Sequence, residues 1–382
     1  MLKSLTRLWL SGMKQAAKAQ RSQQKKLLKS LLPKPPKKAR SAVKAVKAAK
    51  AAKAAKAAKV KAAPSAKSAP AAPTAAPARL PGKWMAFYYS SLSDGGTLPA
   101  RRMQYWLYMP ANAPAGPLPM VVMLHGCEQT AAQFAQGTRM NALAEEKGFA
   151  VVYPQQSLRG HANRCWHWYE RSTQDGGDDV RLIAGIIGKV CKTYPIDSGR
   201  VYAAGISAGA GMANILALRH PDKVAAVGLH SGPVYGAGHS KTGAYGVMQL
   251  GAAHLADQAI RSLMLGAAVF PAMPAILIHG HADRVVRHIN QGQLALQFRV
   301  LNGLGPDSAA PPVDKPARSG ANASHAYRLQ DYRRGRKLLL RVCEVQHLEH
   351  AWSGGDCKLK YNACPGPDAS RMMWDFFERH SR

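Results

Sequence analysis

Short β-type apolar runs recur at Met103–Met109, Met120–Leu124, Ala150–Tyr153, Val201–Ile206, Val224–Leu229, Ile276–Ile278 and Leu338–Val345. Helical patterns lie between or after them, at Arg139–Lys147, Asp178–Tyr194, Ala208–His220, Gln291–Leu301 and Ser370–His380. Continuous apolar strands alternating with helices predict an α/β fold, with a mainly parallel sheet and helices on both faces. In sheets of that kind reactive groups gather at the carboxyl ends of the strands.

The start of the chain follows a different pattern. Leu2, Leu5, Trp9, Met13 and Ala16 fall three or four residues apart among Lys3, Arg7, Lys14, Lys18 and Arg21, which fits a basic amphipathic helix. After Pro33, Pro35 and Pro36, lysines recur every third residue from Lys44 to Lys59 with Ala and Val between them. A three-residue step spreads those lysines around the whole helix circumference and leaves no apolar face. Residues 62–82, rich in Ala and Pro, read as an extended linker. The expectation is therefore a disordered or partly helical basic tail and linker over residues 1–82, and a catalytic domain over 83–382.

Charge sharpens that boundary. Of the 53 basic and 21 acidic residues, residues 1–82 hold 21 basic and none of the acidic ones, so two-thirds of the net +32 belongs to the tail. The remaining 32 basic against 21 acidic residues give the body only +11. Such a tail cannot offset its chain entropy by burying a core. Residues 1–61 are a candidate surface for anionic membranes, a polymer granule or nucleic acid, whose phosphates would draw the lysines by counterion release. Six cysteines in 382 residues are too few for a small disulfide scaffold. The uncharged stretches 202–218 and 262–278 are interrupted by Gly, Asn and Ser or by Pro271 and Pro274, so no transmembrane segment is expected. The N-terminus lacks a sustained secretory apolar block, so no cleavable signal peptide is expected.

The strand ending at Ala204 runs into Gly205-Ile206-Ser207-Ala208-Gly209 and then a helix. This is GxSxG in the strand, turn and helix context of a nucleophile elbow, where the glycines leave room for a tight turn. Ser207 is the candidate nucleophile. A serine hydroxyl needs an imidazole base, itself oriented by a carboxylate. The carboxylate is expected to be Asp283, 76 residues later, just past the strand Ile276–Ile278 in His279-Gly280-His281-Ala282-Asp283. His279 and His281 precede the acid and read as structural. For the base, His347 and His350 both follow the last strand; His350 is favoured because it opens a loop continued by Ser353-Gly354-Gly355. The backbone amides of Ala208 and of Cys127, after His125-Gly126, are the candidate oxyanion hole. No metal or organic cofactor is required.

With these residues in place, the body resembles the poly(3-hydroxybutyrate) depolymerase family of esterases, within the α/β-hydrolase superfamily. The resemblance covers most of residues 84–380. It rests on LHGCEQTAAQFA from Leu124, RMNALAEEKGFAVVYPQQ, NRCWHWYE from Asn163, GISAGAGMA from Gly205, HGHADRVV from His279, EHAWSGG and GPDASRMMWDFF. It implies an α/β-hydrolase fold, a triad of Ser207, Asp283 and His350, Cys127 acting through its backbone, and a Cys127–Cys165 approach or disulfide. His167 stands where relatives tend to carry Asn, and Glu349 where Gly is usual, which bears on substrate preference. Cys357 and Cys364, in an insert of their own, are read as a local bridge; a metal clip would lack two further ligands. Trp166 and Trp168, given shared strand parity beside the oxyanion loop, and Trp352 are the aromatic candidates for the substrate pocket.

The expected activity is a serine carboxylic-ester hydrolase acting on short-chain hydroxyalkanoate or related esters. Feruloyl or acetylated polysaccharide esters are the alternative, and a granule- or nucleic-acid-binding protein is the competing class. The family resemblance and a Cys127–Cys165 bridge favour an extracellular location, whereas the missing signal and basic leader favour the cytoplasm or an intracellular granule.

Overall fold

The computed structural model describes residues 80–91, 101–253, 256–266 and 270–382. The basic tail, apart from its last three residues, lies outside them. Ten strands form one sheet in the order β1-β2-β4-β3-β5-β6-β7-β10-β9-β8. They are β1 (Lys83–Ser90), β2 (Arg102–Met109), β3 (Leu118–Leu124), β4 (Ala150–Gln155), β5 (Ile196–Ile206), β6 (Ala226–His230), β7 (Ala275–Gly280), β8 (Val313–Lys315), β9 (Tyr327–Arg334) and β10 (Lys337–Val345). The six central strands, β4-β3-β5-β6-β7-β10, pair in parallel. Antiparallel strands extend both sides.

Strand parity divides the core into two layers. In β3, Met120, Val122 and Leu124 join one cluster with the helices Asp178–Thr193, Ala208–Arg219 and Ile289–Leu301. Val121 and Met123 join the other, with Ala131–Thr138, Met140–Lys147 and Ala369–Phe377. Residues Met120 to Leu124 are fully buried, each side chain contributing about 1.5–3 kcal/mol. This is the mainly parallel, two-faced α/β architecture expected from the sequence. Among the described residues no helix is long and apolar enough to cross a membrane.

The strand runs read from the sequence recur with ends displaced by at most five residues, and what escaped notice has physical reasons. β9, YRLQDYRR, is too polar to read as a strand. It is held by register with β10, where Arg341 donates two hydrogen bonds to Asp331 at 2.7 and 2.8 Å. The helix Ala131–Thr138 begins with a capping box between Thr130 and Gln133, a signal visible in the sequence. Arg139, with φ 55°, separates it from Met140–Lys147.

Candidate active site

The elbow is built by close approach of backbones. Ser207 follows β5 with φ 57° and ψ −125° and caps the helix Ala208–Arg219. A non-glycine residue at positive φ costs on the order of 1–3 kcal/mol, which the surrounding structure must hold. A Cβ on Gly209 would sit 2.0 Å from Leu124 O, and one on Gly205 would sit 2.5 Å from Gly209 O. Glycine is therefore the residue that lets β5, β3 and the helix meet here. The Ser207 N–H donates to His230 O at 3.0 Å, and Ser207 O accepts from Gly211 N–H at 3.1 Å.

Asp283 and His350 come together across the adjacent parallel strands β7 and β10. His350 Nδ1 lies 2.7 Å from Asp283 Oδ2. The other carboxylate oxygen, Oδ1, accepts the N–H groups of Val285 and Val286, both at 2.9 Å. His279 Nε2 sits 3.5 Å from Oδ2 and also contacts Val286 O at 2.7 Å. Burial by itself would raise the Asp283 carboxyl, but the hydrogen bonds to His279 and His350 and the electrostatic attraction of these rings outweigh it and hold it below the usual carboxylate range. Backbone bonds from His281 N–H to Val345 O and from Ala282 N–H to Leu348 O, at 2.9 and 3.1 Å, lace the two loops together. His347 is exposed, with φ 57°, and its ring faces His325 at 6.5 Å between centroids.

His230 links these pieces, which its place at the end of β6 did not reveal in the sequence. Its carbonyl accepts from Ser207, and its ring Nε2 accepts the Ser353 N–H at 3.2 Å, three residues past His350. The ring stacks on Trp352 at 5.1 Å between centroids. The elbow and the histidine loop are thus fastened to one buried residue. Ser207 Oγ makes no hydrogen bond among the described residues, to His350 included.

The proposed oxyanion donors flank the elbow. The N–H groups of Cys127 and Ala208 have no acceptor among the described residues. Cys127 is joined to Cys165 and Cys357 to Cys364, while Cys191 and Cys343 are free. Gly126 N–H donates to Gln129 Oε1 at 2.9 Å, and Trp166 Nε1 donates to His125 O at 2.9 Å, fixing the loop from both sides.

The family described as Esterase PHB depolymerase matches residues 103–313, more than half of the chain. The chain belongs to this family. The match takes in Ser207 and Asp283 and stops before His350. Among curated relatives of this esterase family, poly(3-hydroxyalkanoate) depolymerase C of Paucimonas lemoignei is 33% identical over 235 residues, covering 60% of this chain and 56% of that protein. Acetylxylan esterase A of Emericella nidulans is 33% identical over 139 residues, 36% of this chain and 44% of that one. The chain spans about half the length of the curated relatives it matches. In fold it is similar to acetyl xylan esterase from Aspergillus awamori, with TM-score 0.59 at 20% identity over 77% of this chain and 99% of that one. The fold is that of the α/β-hydrolases.

Within this family member the tryptophans serve packing. Residues 163–168 form no strand, so the shared parity read for Trp166 and Trp168 has no basis. Trp166 is fully buried under His125, and Trp168 packs against the helix where a Cβ on Gly211 would meet it at 3.0 Å. Trp352, also buried, lies edge-on to Phe134 and donates to Ser370 Oγ at 3.2 Å. His167 is half-buried beside His161 and Tyr169, and Glu349 is exposed. A cleft of about 730 Å³ opens beside β2, by Arg102, Trp106, Gln156 and Arg164, and neither Ser207, Asp283 nor His350 lines it.

The buried imidazoles make an acid prediction. Burial, with the nearby charges of His279 and His350, lowers the His230 ring from 6.5 to about 3. Burial lowers His125 to about 4. Below about 6.5 the unfolded chain protonates these rings while the folded chain does not, so the unfolded state binds more protons and stability falls as pH falls. The loss is roughly 1.4 kcal/mol per pH unit for each ring until its folded value is reached. Thermal melts at pH 7 and pH 5 should therefore show a clear drop in midpoint; equal midpoints would contradict the neutral buried rings.

Proposed function

We propose that the chain is a serine carboxylic-ester hydrolase that works through an acyl-enzyme. The observation that carries this reading is the 2.7 Å contact of His350 Nδ1 with a buried carboxylate, in a fold that also holds Ser207 on a strained turn after β5. With Nδ1 committed to Asp283, the imidazole has Nε2 left to take the Ser207 proton. Ser207 Oγ then attacks the ester carbonyl, and the negative charge on its oxygen is met by the N–H groups of Cys127 and Ala208. His350 returns the proton to the departing alcohol. Water, deprotonated by the same ring, attacks the acyl group, and Ser207 leaves with the proton as the acid is released.

Short-chain hydroxyalkanoate esters are the substrates this reading favours, supported by the family match and by the likeness to poly(3-hydroxyalkanoate) depolymerase C of Paucimonas lemoignei. Acetylated polysaccharide is the second reading, because an acetylxylan esterase is among the relatives and acetyl xylan esterase from Aspergillus awamori has a similar fold. Acid release from 3-hydroxybutyrate oligomers and from acetylated xylan, compared at equal ester concentration, tests the choice. Faster turnover of the oligomers is expected. Preference for xylan would move the substrate to the second reading, and hydrolysis of neither, nor of p-nitrophenyl butyrate, would overturn both.

For residues 1–61 the reading is attachment to a polyanion, supported by a basic composition without a single acid. Binding of the full chain to duplex DNA should weaken steeply with salt, whereas a chain starting at Leu80 should bind far less. Equal binding by the two would remove this role from the tail.

A further inference from the structure

Three side chains outside the catalytic assignment meet next to it. His281 and His288 bracket the loop that carries Asp283, and both rings turn toward Glu344 on β10. His281 Nε2 lies 3.6 Å from Glu344 Oε2, and His288 Nε2 lies 3.8 Å from Glu344 Oε1. The three ligating atoms all fall within 4.8 Å of one another. These separations are too long for hydrogen bonds. His288 Nε2 is buried and has no hydrogen-bond partner among the described residues. Three polar groups thus surround a small gap without satisfying one another.

We propose that His281, His288 and Glu344 form a binding site for a divalent transition-metal ion, with zinc the best match. Two imidazoles and one carboxylate are a donor set suited to zinc and poor for magnesium or calcium, which take oxygen ligands. Bonds of 2.0–2.2 Å to a tetrahedral ion place its ligand atoms about 3.4 Å apart, close to the two histidine-to-carboxylate distances. The histidine rings now stack at 4.3 Å, only 19° from parallel. Loading an ion therefore requires His281 to turn, and its side chain, 38% exposed, has the room. A solvent molecule would complete the coordination. Glu344 also lines a cleft of about 360 Å³ with Gln291 and Arg328, which offers a path in. Arg328 is paired there with Asp314 at 2.7 Å, so its charge is partly met.

The ion would tie both ends of the 281–288 loop to β10. It takes no ligand from Asp283 or His350. His279 is left out as well, because its Nε2 is engaged by Val286 O and Asp283.

Calorimetric titration of the chelator-treated full chain with zinc chloride tests the site. Saturable binding of one zinc ion is expected, with magnesium chloride giving no heat above dilution. His288→Ala and Glu344→Gln should each weaken zinc binding by at least about tenfold, since even outer-shell changes at metal sites cost that much. His161→Ala, in a separate histidine pair with His167, should leave it unchanged. Glu344→Gln keeps the side-chain shape, and a melting profile like the parent's without zinc verifies its fold. No saturable zinc binding by the parent chain, or binding undiminished in both ligand variants, would overturn the proposal.

Discussion

Ser207→Ala is expected to lower kcat/KM for p-nitrophenyl butyrate by about 10⁴-fold or more, with little change in melting temperature. The size follows from what is removed: the atom that forms the acyl-enzyme, leaving only binding and the amide donors to speed attack by water. The fold should survive, because the backbone bonds of Ser207 to His230 and Gly211 do not involve Oγ. Among the described residues Oγ itself makes no hydrogen bond whose loss would matter. Steady-state kinetics beside a thermal melt checks both halves. Activity within tenfold of the parent would mean that ester cleavage runs through another group.

Asp283→Asn carries the second large effect, and its logic is tautomeric. In the native protein one carboxylate oxygen accepts two backbone N–H groups and the other faces His350 Nδ1. An asparagine has one acceptor oxygen. The Val285 and Val286 amides claim it, which points the NH₂ at His350 and forces Nδ1 to accept instead of donate. The imidazole proton then sits on Nε2, the nitrogen that must take the Ser207 proton. A fall in kcat of about 10⁴-fold is expected, the size such an inversion has in serine proteases. KM should change far less. The amide would also face His279 Nε2, now 3.5 Å from Oδ2, so some stability should be lost as well. A variant retaining most of its kcat would show that the carboxylate does not orient the base.

The elbow was legible in the sequence because its glycines record a steric demand: no side chain fits where Leu124 O lies 2.0 Å from a Cβ on Gly209. The central strands were legible because burial on both faces writes them as unbroken apolar runs. The choice between His347 and His350 depended on loop direction, not spacing. The backbone bonds between the 280 and 345 loops that set this direction are invisible in a linear chain. His230 gives no signal in the sequence for the same reason, since its carbonyl and ring serve two segments 146 residues apart, at Ser207 and Ser353. Parity for Trp166 and Trp168 misled because alternation has meaning only in a strand, and that segment is irregular. β9 was hidden by the charges that stabilise it, the Asp331–Arg341 pair above all.

Covalent labelling of the parent chain with a fluorophosphonate, followed by peptide mass spectrometry, tests the central claim most directly. One adduct per chain on the peptide containing Ser207 is expected, formed rapidly in the parent and hardly at all in His350→Ala. Labelling confined to another serine, or equal labelling of the parent and the His350→Ala variant, would contradict an activated Ser207.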